Sequence, residues 1–318
     1  MGWATPYAEL SPDVVLAAVE SAGVHTDGRL LALNSFENRV YQVGVEHGRP
    51  LVAKFYRGGR WSDAAIREEH AFAAELAGAE LPVVAPLAFD GRTLLAHREF
   101  RFALYPRQGG RAPELESAEN LRWMGRLLAR LHGVGARRPF AARGRIDRAT
   151  LVDAPSRAAL ASPLLPTALH DRYAAAIADL GALLDAAFAR CGDIRRLRLH
   201  GDCHAGNVLW TDAGPHFVDL DDARMGPAVQ DLWMLAPSAR AREWLLEGYA
   251  EFRDFDRREL ALVEPLRIMR QVHYAGWIAQ RWDDPAFPRA FPFVAEAPWW
   301  ERHVDDLREA AHTLRESG

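Results

Sequence analysis

Lysine is almost absent from this 318-residue chain. Of its 39 basic residues, 38 are arginine and one, Lys54, is lysine. A lysine ammonium is a compact point charge and the arginine guanidinium is a planar fork, so the two side chains do not fit the same site. We therefore interpret Lys54 as a residue with a specific task. The competing interpretation is the chance survival of one lysine in an arginine-rich chain.

Cysteine, long apolar runs and a strong net charge are also lacking. The two cysteines, Cys191 and Cys203, are too few for a disulfide framework and lack metal-ligand spacing. No apolar stretch is long enough to span a bilayer, and the N-terminus has no signal-peptide pattern. A net charge of −4 and a pI near 6.3 give no electrostatic argument for binding nucleic acid or a membrane. These absences predict a cytoplasmic protein with neither kind of partner.

A polar motif between positions 200 and 222 gives the first positive indication of function. Asp202 and Asn207 lie on one predicted loop, and two short apolar runs with turn residues between them lead to Asp219. We predict an antiparallel hairpin centred on Ala213, in which Asn207 lies opposite Asp219. An amide oxygen beside a carboxylate suits Mg²⁺, which completes its shell with water and substrate phosphates. Asn207 and Asp219 are therefore candidate metal ligands, and Asp202 is the candidate base.

The same residues match the catalytic-loop pattern of kinases, in which a His, an Asp, four further residues and an Asn precede a metal-binding Asp. Gly201 replaces the usual Arg, and 220–221 is Leu-Asp where protein kinases have Phe-Gly. This form resembles the aminoglycoside-phosphotransferase branch of the kinase-like superfamily. The resemblance implies transfer of a phosphoryl group from ATP, with Asp202 as the catalytic base.

The periodicity of the chain predicts an α+β, bilobal, kinase-like fold. Alternating or short apolar segments at 29–34, 40–45, 51–56, 81–87, 93–96 and 100–106 are typical of strands. These six segments are the candidates for an expected five-stranded antiparallel sheet, which is accompanied by a helix over 64–76. From Ser117 onward the pattern is mainly helical. We expect an N-terminal nucleotide-binding lobe over 1–105 and a catalytic and substrate-binding lobe over 106–318, with a hinge at 106–110.

Lys54 lies on the predicted third strand, where kinases carry the lysine that contacts the α- and β-phosphates. The predicted helix 64–76 has Glu69 on its apolar face, so Glu69 is the candidate partner of Lys54 and Glu68 is the alternative. The alternative to this pairing is a glutamate that is exposed to solvent and has no partner. The loop 35–39 occupies the position of the glycine-rich phosphate loop but contains no glycine, and Ser35 is the candidate phosphate contact; an ordinary turn is the alternative.

Longer segments are similar to the bacterial stress response kinase A family, which consists of Ser/Thr protein kinases with the aminoglycoside-phosphotransferase fold. The similarity covers both predicted lobes and rests on residues 33–41, 52–57, 197–210, 217–235, 264–267 and 281–288. It implies a monomer that uses ATP and Mg²⁺, with Ser35 at the nucleotide, Asn207 and Asp219 at the metal, and a protein Ser or Thr as acceptor. It also implies that Asp231 supports the catalytic loop.

The sequence is also compatible with two other functions. A kinase of small molecules, such as an amino alcohol, a sugar or an aminoglycoside, would use the same catalytic residues. A non-catalytic ATP-binding scaffold is a weaker alternative, because every expected catalytic position is filled. The Pro-rich, aromatic segment 283–300 is a candidate wall of the substrate cleft.

Overall fold

The structure, a computed structural model, describes residues 6–316. Its N-terminal part contains the predicted five-stranded antiparallel sheet, with strand order β1-β2-β3-β5-β4. The strands are β1 Thr26–Leu33, β2 Arg39–Val45, β3 Leu51–Phe55, β4 Leu95–His97 and β5 Phe100–Pro106. Lys54 lies on the central strand β3 between Val40 of β2 and Ala103 of β5. The predicted fold class is confirmed.

Two helices cover this sheet. Helix α1 (Pro12–Glu20) begins at Ser11, whose hydroxyl accepts the Val14 N–H, and proline at its first position suits the helix start. Helix α2 (Asp63–Gly78) begins in the same way at Ser62. The apolar face of α2 is buried and includes Glu69, as the spacing predicted.

One predicted strand is wrong. Residues 81–87 do not join the sheet; they form one isolated bridge between Val83 and Phe217, and the Leu87 N–H donates to the Leu104 carbonyl. Pro82 and Pro86 lack the N–H groups that a strand needs, which explains why an apolar run failed to become one.

The remainder of the chain is mainly helical, also as predicted. Helix α3 (Ala118–Gly135) is capped by Ser117. Its apolar face, including Leu121, Met124 and Leu128, is buried in a hydrophobic core. The other helices are α4 Ala154–Ala161, α5 His170–Arg190, α6 Gln230–Trp233, α7 Ala239–Ala250, α8 Val263–Gln280, α9 Ala286–Ala290 and α10 Ala297–Glu316. None of the helices between residues 6 and 316 combines the length and apolar character needed to cross a membrane.

Four short strands position the polar motif. Strand β6 (Leu197–Arg198) pairs with β9 (Met225–Gly226), and β7 (Val208–Thr211) pairs with β8 (Gly214–Phe217). Buried Arg198 extends from β6 to Glu75 of α2, with 2.7 Å between Nη2 and Oε2. This ion pair fixes the strand that leads into the motif against the N-terminal part.

The register of the predicted hairpin is wrong by one residue. Thr211 pairs with Gly214, so the turn contains two residues instead of being centred on Ala213, and Gly214, the first residue after the turn, has a positive φ of 104°. Asn207 consequently lies opposite Val218, whose N–H donates to the Asn207 carbonyl at 3.0 Å. Asp219 comes one residue later, in a left-handed conformation with φ 60°.

Candidate active site

A cleft of about 810 Å³ lies between the sheet and the helical part of the molecule. Its walls come from the loop after β1, from β3, from the segment that follows β5, from the catalytic loop and from helix α8. All the site residues predicted from the sequence line this one cleft: Ser35, Lys54, Glu69, Asp202, Asn207 and Asp219.

Asp231 holds the catalytic loop, as the family resemblance implied. Its carboxylate accepts the backbone N–H groups of His200 (2.9 Å) and Gly201 (2.8 Å), and it also contacts the buried His132 ring. The His200 ring in turn contacts the Val218 carbonyl at 3.0 Å, directly before Asp219. These bonds connect the two ends of the motif.

Gly201 is required at its position for a steric reason. It has φ 85°, and a Cβ atom there would lie 2.1 Å from the carbonyl oxygen of Asp222. No side chain fits such a gap against backbone, so the Arg of the protein-kinase pattern is excluded at this position.

Asp202 is an ionised, partly buried carboxylate. Arg270 of α8 contacts Oδ1, and the His204 ring lies 3.4 Å from Oδ2. The Gly206 N–H donates to His204 Nδ1, so in a neutral ring Nε2 carries the proton that faces Asp202. Burial favours the neutral carboxyl, but His204 and Arg270 outweigh it and hold the pKa of Asp202 below its usual value. Such a group can accept a proton at neutral pH.

Asn207 and Asp219 both face the cleft despite the shifted register. The Asn207 side-chain NH₂ group donates to the Asp202 carbonyl at 2.9 Å, which fixes the amide and leaves its oxygen available as a ligand. The Asp219 side chain is about half exposed (53%). Residues 6–316 contain no cluster of three or more His, Cys, Asp and Glu side chains able to hold a metal. An amide oxygen and one carboxylate fit Mg²⁺ that takes its remaining ligands from water and phosphate.

Lys54 is buried, and its ion-pair partners differ from the predicted one. Its Nζ lies 2.8 Å from Asp219 Oδ1 and 3.4 Å from Asp221 Oδ1, and Glu69 forms no ion pair among residues 6–316. Burial favours the neutral amine, but Asp219, Asp221 and Glu69 together raise the pKa of Lys54 well above its usual value. Lys54 therefore stays charged, and two carboxylates from the facing segment already balance it.

Glu69 is a buried carboxyl with one unsatisfied oxygen. Its Oε2 has no hydrogen-bond partner in the described part of the chain, and burial raises its pKa to about 7. The alternative, Glu68, is wrong. Its carboxylate instead accepts three backbone N–H groups from residues 141–143, at 2.7 to 3.0 Å.

Asp221 and Asp222 are committed to arginines. Arg60 contacts both carboxylates, and Asp221 also accepts from the Asn38 amide at 3.1 Å. Burial opposes ionisation of Asp222, but Arg60 and Arg224 hold its pKa far below the usual value. These contacts favour a structural role over a second metal site.

Comparison with known proteins agrees with this geometry. Residues 29–263 match the model of the phosphotransferase enzyme family. Stress response kinase A of Escherichia coli (strain K12) is 44% identical over 312 residues, which cover 96% of this chain and 94% of that protein. Serine/threonine protein kinase RdoA of Salmonella typhimurium (strain LT2) is 45% identical over 314 residues, with the same two coverages.

The chain belongs to the stress response kinase A family. It is an ATP-dependent phosphotransferase. The fold alone is also similar to the solved structure of the amicoumacin kinase hAmiN in complex with AMP-PNP, Ca²⁺ and Ami, with a TM-score of 0.70, 16% identity and 92% of each chain covered.

Three segments that carry the similarity to the stress response kinase A family meet in space, although they are far apart in sequence. They are 33–41, 52–57 and 281–288. Five of their charged side chains form a network that we call the interlobe clasp: Glu37, Arg39, Arg57, Arg281 and Asp284. The sequence did not predict these ion pairs, although all five residues lie in segments that are similar to the family.

The clasp fixes the loop that replaces the glycine-rich loop. Glu37 accepts from the Trp277 indole N–H (2.5 Å) and pairs with Arg281 (2.6 Å), both from the far side of the cleft. Phe36 packs against Phe291, with 5.1 Å between the ring centroids, and Phe291 lines the cleft as expected for the segment 283–300. Ion pairs and a tilted contact between two aromatic rings thus hold this loop without glycine.

Proposed function

We propose that this protein is a Ser/Thr protein kinase of a bacterial stress response, which transfers the γ-phosphoryl group of ATP to a Ser or Thr hydroxyl. The observation that carries the proposal is the identity of 44–45% over 96% of the chain with proteins bearing those names, combined with one cleft that collects Lys54, Asp202, Asn207 and Asp219.

Asp202 is the catalytic base. Its carboxylate orients the acceptor hydroxyl and takes its proton as the hydroxyl oxygen bonds to the γ-phosphorus. The bond from the γ-phosphorus to the bridging oxygen breaks, and ADP leaves with that electron pair. The depressed pKa of Asp202 keeps the carboxylate ready for this proton at neutral pH.

Asn207 and Asp219 hold Mg²⁺ in this proposal. When bound, the ion neutralises charge across the β- and γ-phosphates. The Asn207 bond to the Asp202 carbonyl connects the metal ligand to the base, so the two groups keep a fixed spacing.

Lys54, Glu69 and Ser35 serve the nucleotide. Lys54 supplies a permanent positive charge to the α- and β-phosphates, and the nearby Glu69 carboxyl contributes to the raised pKa that keeps Lys54 charged. The adenine lies beside the segment 104–107, whose Tyr105 and Pro106 line the cleft. The Ser35 hydroxyl donates to the Asn38 carbonyl at 2.9 Å, so Ser35 shapes the loop as well as facing the phosphates.

The proposal includes a monomer in the cytoplasm and a lobe boundary between residues 105 and 106. The end of β5 at Pro106 supports this boundary, since the helical part follows after a short connection.

A small-molecule kinase is the second candidate, favoured by the likeness in fold to the amicoumacin kinase structure. The two functions are separated by incubating the purified protein with γ-³²P-ATP, Mg²⁺, dephosphorylated casein and a panel of small alcohols. Label on the protein supports the proposal. Label confined to a small alcohol supports the second candidate, and absence of transfer contradicts both.

A further inference from the structure

Arg270 of helix α8 contacts the carboxylate oxygen Oδ1 of Asp202 inside the cleft. Its side chain is 44% exposed, and that of Asp202 is 22% exposed. In the proposed function the acceptor hydroxyl needs a hydrogen bond to this carboxylate. Arg270 therefore stands where the acceptor must approach, and part of its contact with Asp202 has to be given up when an acceptor binds.

The arginines and the lysine that otherwise line the cleft already pair with acidic side chains of the segment 219–222. Lys54 pairs with Asp219 and Asp221, and Arg60 and Arg224 pair with Asp222. Arg270 differs because Asp202 is its one ion-pair partner in the described chain. It is also the more exposed group, and it can turn toward a ligand without breaking a buried network.

The surroundings of Arg270 suit an extended, anionic acceptor. One helical turn further along α8, Tyr274 is 39% exposed and lines the same cleft, next to Trp277 and Phe291. These rings form an apolar wall against which an acceptor segment can pack. A cationic acceptor close to Asp202 would instead meet the like charge of Arg270, which is unfavourable at short range.

We infer that Arg270 is a specificity-determining residue. This role rests on the proposed kinase function. Arg270 pairs with an acidic side chain beside the acceptor Ser or Thr and disfavours cationic acceptors, including small amino alcohols. Arg270 thus favours protein segments with an acidic residue beside the acceptor. It disfavours amino alcohols and aminoglycosides, because these carry positive charge.

The test uses three Ser peptides that differ in one neighbouring residue, Glu, Gln or Lys, and three small acceptors, glycerate, glycerol and ethanolamine. For the wild type, kcat/KM for the Glu peptide is expected to exceed that for the Lys peptide about fivefold, which corresponds to the upper range of one exposed ion pair. Arg270→Gln abolishes this preference through KM for the peptide, and Arg270→Glu inverts it. Arg270→Lys retains it.

Arg172→Gln is the matched control, because Arg172 forms an exposed ion pair with Asp305 (2.8 Å) on helices away from the cleft. It keeps the wild-type preference. Nucleotide affinity, followed by titration with ATP, stays within about twofold in all Arg270 variants, since none of the nucleotide-binding residues contacts Arg270.

Failure of the inference is distinct from failure of the proposed function. Peptide phosphorylation without a charge preference, or with one that survives in Arg270→Gln, overturns the role of Arg270 and leaves the kinase function intact. Phosphorylation of small acceptors alone overturns the protein-kinase function; glycerate must then be preferred to ethanolamine, or the role of Arg270 is overturned too. No transfer to any acceptor overturns both.

Discussion

Arg39 and Asp284 are 245 residues apart in sequence and form an ion pair, in which Nη2 of Arg39 donates to Oδ1 at 2.6 Å and to Oδ2 at 2.8 Å. Arg57 donates to the same carboxylate at 2.5 Å. Burial favours the neutral form of Asp284, but the Ala286 N–H and the two arginines hold its pKa below the usual value. One charged aspartate thus joins β2, the end of β3 and the segment after α8.

Asp284→Asn is predicted to destabilise the protein. The change keeps the side-chain shape but leaves the partly buried charges of Arg39 and Arg57 without their acid, and loss of one partner from a buried ion pair costs about 3–5 kcal/mol. The free energy of unfolding in urea measures the effect. Asp283→Asn, at the exposed neighbouring position, should change it by no more than about 0.5 kcal/mol. Equal effects of the two variants would contradict the role of the clasp.

Trp277→Phe is predicted to loosen the loop 34–39. Phenylalanine retains most of the ring packing but cannot donate to Glu37, and a hydrogen bond to a charged group contributes enough for exchange to accelerate roughly tenfold. Hydrogen exchange of the loop amides measures this. Trp244→Phe, remote from the loop and packed against Arg240, should leave the loop amides at the wild-type rate. An unchanged rate in Trp277→Phe means that the indole bond does not restrain the loop.

Lys54→Arg is predicted to lower kcat by at least ~10²-fold, although the charge is kept. The ammonium fits between Asp219 and Asp221, and a guanidinium cannot take its place without displacing one of them. Steady-state ATP turnover measures the effect, with Lys54→Met as the variant without charge. Wild-type turnover in Lys54→Arg would show that the chain has a single lysine by chance.

The pH dependence of stability should contain a contribution from Glu259. This buried carboxyl accepts the Val229 N–H at 2.9 Å, and burial raises its pKa from 4.5 to about 7. Since the folded state binds the proton more tightly, this contribution is fully present below pH 4.5 and is lost as the pH rises through 7. Glu259→Gln should reduce the fall in unfolding free energy between pH 5 and 8 by on the order of 1–3 kcal/mol. Exposed Glu243→Gln should not, and a wild-type profile in Glu259→Gln would contradict the assignment.

Local patterns predicted most of the fold and the members of the site. The spacing of apolar residues identified α2 and the burial of Glu69 on it, and the turn residues identified the hairpin between Asn207 and Asp219. The hairpin register failed because turn residues do not reveal whether two or three of them form the turn, and one residue shifts every cross-strand pair. The predicted strand at 81–87 is wrong because Pro82 and Pro86 lack the backbone N–H groups that strand pairing needs.

Long-range contacts were beyond the reach of periodicity. The Lys54 pair with Asp219, the Arg39 pair with Asp284 in the clasp and the Arg270 contact with Asp202 each join residues at least 68 positions apart, and ion pairs leave no repeating pattern in a sequence. The pairing of Lys54 with Asp219 and Asp221 depends on where the segment after β8 places these two carboxylates, which requires the three-dimensional structure.

Asp202 is the residue proposed to promote transfer of the γ-phosphoryl group of ATP to a protein Ser or Thr. The most direct measurement is phosphoamino-acid analysis of dephosphorylated casein, an acidic protein, after incubation with γ-³²P-ATP, Mg²⁺ and either the wild type or Asp202→Asn. We predict labelled phosphoserine or phosphothreonine with the wild type, and at least ~10²-fold less of this label with Asp202→Asn. Equal labelling by the two proteins, or no labelled Ser or Thr with the wild type, would contradict it.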